Sequence, residues 1–237
     1  PELDVLGRQI AKNCNGLPLS IVIISGILAT LDQDGWEKVA ERLSSNSVVG
    51  ATGQCKSILE LSYVHLPDHL KPCLLYFGAF REDQEIPIRR LMWLLVAEGF
   101  VQKNELESTE KLAEGYIMAL INRSLVMVGQ RRSTGGVKTC RIHDLLHVFC
   151  VGKAKDQNFL HLVQGYDEFL ELDELQHPRR LSIYCQPKQF AKSRIFCPHL
   201  RSLQHSTSGV RRREVSYSLS CIHQMKLLRV LDLGHIS

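Results

Sequence analysis

Residues 61–101, LSYVHLPDHLKPCLLYFGAFREDQEIPIRRLMWLLVAEGFV, constrain this chain more than any other stretch. Apolar residues recur there at helical spacing in three runs, broken by Leu66-Pro67 and by a polar elbow. The third run opens at Ile86-Pro87-Ile88, where a missing N–H near a first turn costs least. It closes at Gly99, which suits the left-handed turn that commonly ends a helix. Leu91, Met92, Trp93 and Leu94 are expected in the core. The spacing predicts helices over 54–64, 68–79, 87–98 and 108–122, then β-rich runs over 124–129 and 137–142. The polar tip between those runs contains Gly135-Gly136, a hairpin signal. Helices leading into a hairpin describe a winged helix, expected over 54–160.

Upstream, Leu3, Leu6, Ile10 and Cys14 fall on one face of a helix over 2–14. Asn15-Gly16 stops it, Pro18 starts an apolar helix running to Leu31, and a short helix over 36–43 follows. These form a helical bundle over 1–45, and the polar loop 44–53 is a subdomain boundary. Beyond the hairpin, a helix starts near His143 or Asp144 and runs to Lys155. A connector over 161–178 is acidic at Asp167, Glu168, Glu171, Asp173 and Glu174. From 179 the pattern becomes short strands at 180–183, 200–203 and 228–233. The last reads L-x-x-L-x-L, with Ile236 next, so its leucines are expected to enter a stacked solenoid core. Residues 211–214 fill the long gap as a surface insertion, and so few repeats leave the C-terminal end frayed. The fold class expected is mainly α with a small β part: helical bundle, winged helix, then the start of an α/β solenoid.

With 44% hydrophobic and 23% charged residues over 237 positions, the composition is that of a globular chain. The sequence reads as a piece of a longer polypeptide. The net charge of +4 is split among short runs (Arg131-Arg132, Arg179-Arg180, Arg211-Arg212-Arg213), too little to argue for nucleic acid. Eight cysteines are scattered without a C-x₂-C pair, which suits reduced, mostly buried thiols better than a disulfide framework. The apolar run 17–31 is shorter than the roughly 20 residues a bilayer needs, so it reads as a buried helix.

No phosphate cradle is present. The only Gly-Lys pair, Gly152-Lys153, has no glycine five residues earlier and no Ser or Thr after it. Two other motifs draw attention. Gly16-Leu17-Pro18-Leu19-Ser20 reads, by its chemistry alone, as a helix stop followed by a helix start. Ile142-His143-Asp144 places an imidazole where a strand gives way to a helix, and unpaired N–H groups there favour an anion. Its bland reading is a locally satisfied histidine beside an acidic first-turn residue. Cys140, His143, His147 and Cys150 invite a zinc reading, but their spacing matches no common zinc pattern. No metal is expected.

Taken in order, these three signatures resemble the region just past the nucleotide-binding core of plant NB-ARC, leucine-rich-repeat disease-resistance proteins of the late-blight-resistance type. Two substitutions depart from the family pattern: Ser20 for Ala and Ile142 for Met, both conservative in character. The resemblance implies the C-terminal part of the first ARC subdomain over 1–45, the second ARC subdomain over 54–160, and leucine-rich repeats from 179. It implies that Pro18 packs on the adenine of ADP and that His143 meets the β-phosphate. Gly16, Leu17, Leu19 and Asp144 are implied as supports. ADP or ATP, with Mg²⁺, is implied for the parent, which would be a slow switch ATPase; this part is not expected to be an enzyme or to bind nucleotide tightly alone. Implied partners are the receptor's own nucleotide-binding and repeat domains, a pathogen effector or guarded host protein, and further copies on activation. The location implied is cytoplasmic, with peripheral membrane association open. Rival readings are a winged-helix DNA-binding regulator and a pure interaction scaffold. Against the first, the helix before the hairpin carries Glu107, Glu110 and Glu114 against Lys111 and Arg123.

Overall fold

A computed structural model of the chain describes residues 2–45, 51–102, 106–133, 135–165, 168, 178–184, 198–205 and 225–233. Most of the acidic connector, the segment 211–214, Ile236 and the cysteines at 185, 197 and 221 lie outside the described residues.

Four helices come first: α1 (Glu2–Asn13), α2 (Pro18–Leu28), α3 (Gln33–Ser45) and α4 (Ala51–Val64). Ile10 and Cys14 of the first are buried as its spacing predicts, but Leu3 is exposed, because the amphipathic face runs out before the helix start. Helix α2 ends at Leu28, three residues short of expectation. The Trp36 indole of α3 donates to the Leu28 carbonyl at 3.0 Å and so ties the two helices together at that end. Asp32 begins α3 earlier than expected, its carboxylate accepting from the Gly35 N–H at 3.0 Å. Helix α4 packs against α2.

The winged-helix unit follows. Helix α5 (Lys71–Leu75) passes into a 3-10 turn, Tyr76–Ala79, so the helix expected over 68–79 is split. The tighter turn brings Gly78 against helix α8 (Asp144–Asp156): a Cβ at Gly78 would lie 3.4 Å from Val151. Helix α6 (Ile88–Glu98) has Pro87 at its N-cap rather than inside it, and Gly99 ends it at φ 78°, left-handed as expected. Ile86–Pro87 is instead a short strand, β1, that the sequence reading missed. It pairs antiparallel with β3 (Thr139–Arg141), which also pairs with β2 (Met127–Val128), giving the order β1-β3-β2. Pro87 is tolerated because β1 is an edge strand, and the Ile88 N–H continues the ladder to Lys138 O at 3.0 Å. Helix α7 (Thr109–Asn122) is capped by Ser108 Oγ, which accepts from the Lys111 N–H at 3.3 Å.

Ile88, Leu91, Leu94 and Leu95 line the buried side of α6. Trp93 faces outward, 55% exposed, with the Arg89 guanidinium 4.7 Å from its ring centre. It is therefore not a core residue, and Met92 is only half-buried. The register of α6 explains this: positions 88, 91 and 95 share one stripe, and 89 and 93 fall on the opposite one.

Four parallel strands complete the molecule in sequential order: β4 (His161–Val163), β5 (Arg180–Ile183), β6 (Ser202–His205) and β7 (Val230–Asp232). Strand β4 occupies the start of the expected connector; three residues were too few to show a period. Leu181, Leu203 and Leu231 pair rung on rung. Leu181 and Leu203 enter a core with Val163, Ile183, Leu200 and Met225. Leu231 does not: it is 44% exposed, on a strand with one neighbour among the described residues. The larger core runs continuously from Ile10 in α1 through the winged helix to Val230 of the parallel sheet. No helix among the described residues is long and apolar enough to cross a membrane.

Candidate functional site

His143 is the N-cap of α8, with extended backbone (φ −73°, ψ 146°), and its Nδ1 accepts from the Leu145 N–H at 3.2 Å. Two consequences follow for the imidazole. The ring direction is fixed by the cap, and with Nδ1 acting as acceptor the neutral ring carries its proton on Nε2. The half-exposed His143 thus carries its donor at a helix start, where backbone N–H groups and the helix dipole favour negative charge. Buried Ile142 anchors the strand side of the motif, and Asp144 is exposed in the first turn. Leu145 and Val148 beside it are large exposed apolar residues.

The other motif opens α2. Asn15 (φ 50°) and Gly16 (φ 71°) both turn left-handed, Leu17 is the N-cap without a side-chain bond, and Pro18 takes the first helical position. Leu17 and Leu19 pack against the core and hold the segment, so that Pro18 stays exposed. Buried Gln54 of α4 locks the turn: its amide donates to the Asn13 carbonyl and its oxygen accepts from Asn15 Nδ2 at 2.5 Å. Among the described residues, no hydrogen bond, ion pair or ring contact joins Pro18 to His143. They stand as two separate helix starts.

The other members of the zinc candidate set are engaged elsewhere. His147 Nε2 lies 2.7 Å from the Phe80 carbonyl, inside the core. Cys140 and Cys150 are buried, and burial raises both thiol pKa values, that of Cys140 to about 12, disfavouring the thiolate a metal needs. The described cysteines (Cys14, Cys55, Cys73, Cys140 and Cys150) are all free and buried.

Sequence reasoning missed a polar seam where one face of the parallel sheet docks on the winged helix. Arg180 Nε donates to Glu98 Oε2 at 2.7 Å, and its guanidinium lies over the Phe100 and Phe159 rings at 4.8 and 4.4 Å. Arg90 donates through Nε and Nη2 to Asp232 Oδ2 at 3.0 and 2.6 Å. Ser182 donates to the Ala79 carbonyl at 2.7 Å, and Gln204 Nε2 donates to the Tyr76 hydroxyl at 2.6 Å. Burial, then the charge of Glu98, pushes the Tyr76 phenol far above its ordinary pKa, so it stays protonated. Register explains the seam: Arg180, Ser202 and Val230 share one rung, and Ser182, Gln204 and Asp232 the rung two residues on. A trace was legible in the alternation of Arg180-Leu181-Ser182-Ile183, whose polar positions had no assigned partner.

On the wing side, exposed Glu110, Lys111 and Glu114 face out of α7, with Lys111 Nζ 2.8 Å from Glu107. That surface offers a nucleic-acid backbone no net positive charge.

The winged-helix geometry agrees with the comparison to known proteins. Residues 79–150 match the family described as the winged helix domain of disease resistance proteins. A late blight resistance protein homolog of Solanum demissum is 48% identical over 163 residues, 68% of this chain and 12% of that protein. A second from the same species, R1B-8, is 37% identical over 252 residues, 99% of this chain and 20% of that protein. A third, R1B-14, is 37% identical over 98% of this chain and 18% of its own length. The chain belongs to the late-blight-resistance-like disease-resistance proteins of plants. It spans no more than a fifth of the length of these relatives. The matched winged helix includes α6, α7, the three-stranded sheet, His143 and the first turns of α8.

Proposed function

We propose that this chain is the regulatory part of an intracellular plant immune receptor that works as an ADP/ATP-dependent switch in pathogen defence and the hypersensitive response. In the off state His143 Nε2–H donates to the β-phosphate of ADP, and Pro18 packs on the adenine ring. The phosphate loop and Mg²⁺ ligands come from a preceding nucleotide-binding module of the parent, which turns ATP over slowly; this chain catalyses nothing by itself. The parallel sheet from β4 onward is the start of a leucine-rich-repeat array, supported by the in-register pairing of Leu181, Leu203 and Leu231. The single observation that carries the switch reading is the N-cap bond of His143, which occupies Nδ1 and leaves Nε2 as the donor nitrogen at a helix N-terminus. Exchange of ADP for ATP would release that donor and bias the receptor towards its open, oligomer-forming state, since a ligand shifts an equilibrium only by its differential affinity. Asp144 acts one step behind, favouring the helix start that aims the imidazole. The test is to express the full-length parent carrying His143→Ala or Asp144→Val in leaf tissue and to score cell death without pathogen. Spontaneous cell death with both is expected. Basal signalling equal to wild type with both would overturn the switch reading.

A further inference from the structure

Three arginines stand on one rung of the parallel sheet. Arg180, Ser202 and Val230 pair across β5, β6 and β7, so the residues just before them, Arg179, Arg201 and Arg229, are stacked in the same way. The backbone bonds follow this row: the Arg201 N–H donates to Arg179 O at 2.8 Å and the Arg229 N–H to Arg201 O at 2.7 Å. Adjacent strands lie about 4.8 Å apart, so the three backbones fall within about 10 Å. Among the described residues, no hydrogen bond or ion pair engages the side chain of Arg179, Arg201 or Arg229. The acidic groups of the seam pair with other arginines, Glu98 with Arg180 and Asp232 with Arg90.

Arg179 and Arg201 line a cavity of about 640 Å³ together with Asn158, Phe159, Arg180, His199 and Leu227, and among the described residues no carboxylate lines it. Its volume is that of a small-molecule site, but its lining is polar and cationic where such sites are ordinarily apolar. Stacked guanidiniums repel one another unless an anion lies between them, and their planar forks match phosphate oxygens two at a time.

We propose that Arg179 and Arg201 bind a compact anion bearing two or more phosphate groups, seated in this cavity at the N-terminal ends of β5 and β6. The site is separate from the His143 motif and does not rest on the nucleotide reading. The ligand is either a soluble polyphosphorylated molecule or a multiply phosphorylated lipid headgroup, since both present the same chemistry.

The test titrates the 237-residue chain with sodium tripolyphosphate and with orthophosphate in a calorimeter, at low and at high salt. Tripolyphosphate is expected to bind at least about tenfold more tightly than orthophosphate and to weaken as salt rises. Each of Arg179→Ala and Arg201→Ala is expected to weaken it by about tenfold, the scale of one charge-assisted contact. Arg201→Lys keeps the charge and should retain part of the affinity, and His143→Ala should bind as wild type does. Pelleting with vesicles bearing a bisphosphorylated inositol lipid, lost in Arg201→Ala, identifies a headgroup; tripolyphosphate binding without pelleting identifies a soluble ligand. Wild-type affinity in both alanine variants, or no preference for tripolyphosphate, overturns the proposal. An oligonucleotide competing as well as tripolyphosphate also overturns it, in favour of a nucleic-acid surface. Circular dichroism melts of the single variants keep a folding defect from being read as lost binding.

Discussion

The Arg180→Ala substitution puts the docking of the sheet on the winged helix to a quantitative test. Glu98 keeps only 2% of its side-chain surface exposed and Arg180 14%, so removing the guanidinium leaves a buried carboxylate without its charge partner. Breaking a buried pair from one side costs about 3–5 kcal/mol, most of it the desolvation of the ion left behind. Arg180 also covers the Phe100 and Phe159 rings, a contact worth about 1–2 kcal/mol when desolvated. Together these give an expected loss of about 4–7 kcal/mol. The paired change Arg180→Met with Glu98→Gln removes both charges and keeps much of the packing, so it should recover most of the loss. An internal control is available in Arg8→Ala, whose partner Asp4 sits one helical turn away with side-chain exposures of 78% and 69%. That pair should contribute about 0.3–0.5 kcal/mol. Urea denaturation followed by circular dichroism compares the variants. If Arg180→Ala is no more destabilising than Arg8→Ala, Glu98 is hydrated and the seam is not a buried contact. If the double variant is as unstable as the single, the loss comes from packing rather than charge.

Gly26→Ala should destabilise by about 1–3 kcal/mol or more, because an added Cβ would meet the Arg123 carbonyl oxygen at 2.2 Å, and a thermal melt matching wild type would show that α2 and the turn after α7 do not touch. Leu91→Asp, at a fully buried position, should cost several kcal/mol, whereas Trp93→Asp on the outer stripe of α6 should stay within about 1 kcal/mol; equal losses in denaturation would reverse that assignment. Burial raises the Cys73 and Cys140 thiols from 9.0 to about 12, so their contribution to stability is complete below about pH 9 and declines as pH rises towards about 12. Urea midpoints should therefore fall across that window, and less so in Cys73→Ala; a midpoint independent of pH there would place the thiols in solvent.

Local chemistry made much of this fold legible from residues alone. The stops and starts at Asn15-Gly16-Pro18 and at Gly99 were readable because left-handed turns and fixed proline φ leave few residue choices. The wing was readable from two apolar β runs around Gly135-Gly136, and the helix start at His143 from the switch in period after Ile142. Trp93 was misassigned because periodicity marks a stripe only when every apolar residue lies on it, and an aromatic stacked under Arg89 on the outer face breaks that rule. Strand β1 escaped because two residues carry no period and one of them is proline. The seam escaped for a deeper reason. Arg90 and Asp232 are 142 residues apart and Arg180 and Glu98 are 82 apart, and only the parallel register of β5, β6 and β7 brings them together. The residues of the two helix starts were visible in the sequence; the tautomer that makes His143 a donor depends on the cap geometry.

In the proposed switch His143 holds ADP in the off state of the parent receptor, and the ADP dissociation rate of the purified full-length parent reads out that contact. A charge-assisted hydrogen bond to the β-phosphate is worth about 1.5–3 kcal/mol, so His143→Ala should release ADP faster by about one to two orders of magnitude. Asp144→Val should shift the rate in the same direction by less. An ADP off-rate in His143→Ala equal to wild type would refute the latch and leave His143 as the N-cap of α8 and nothing more.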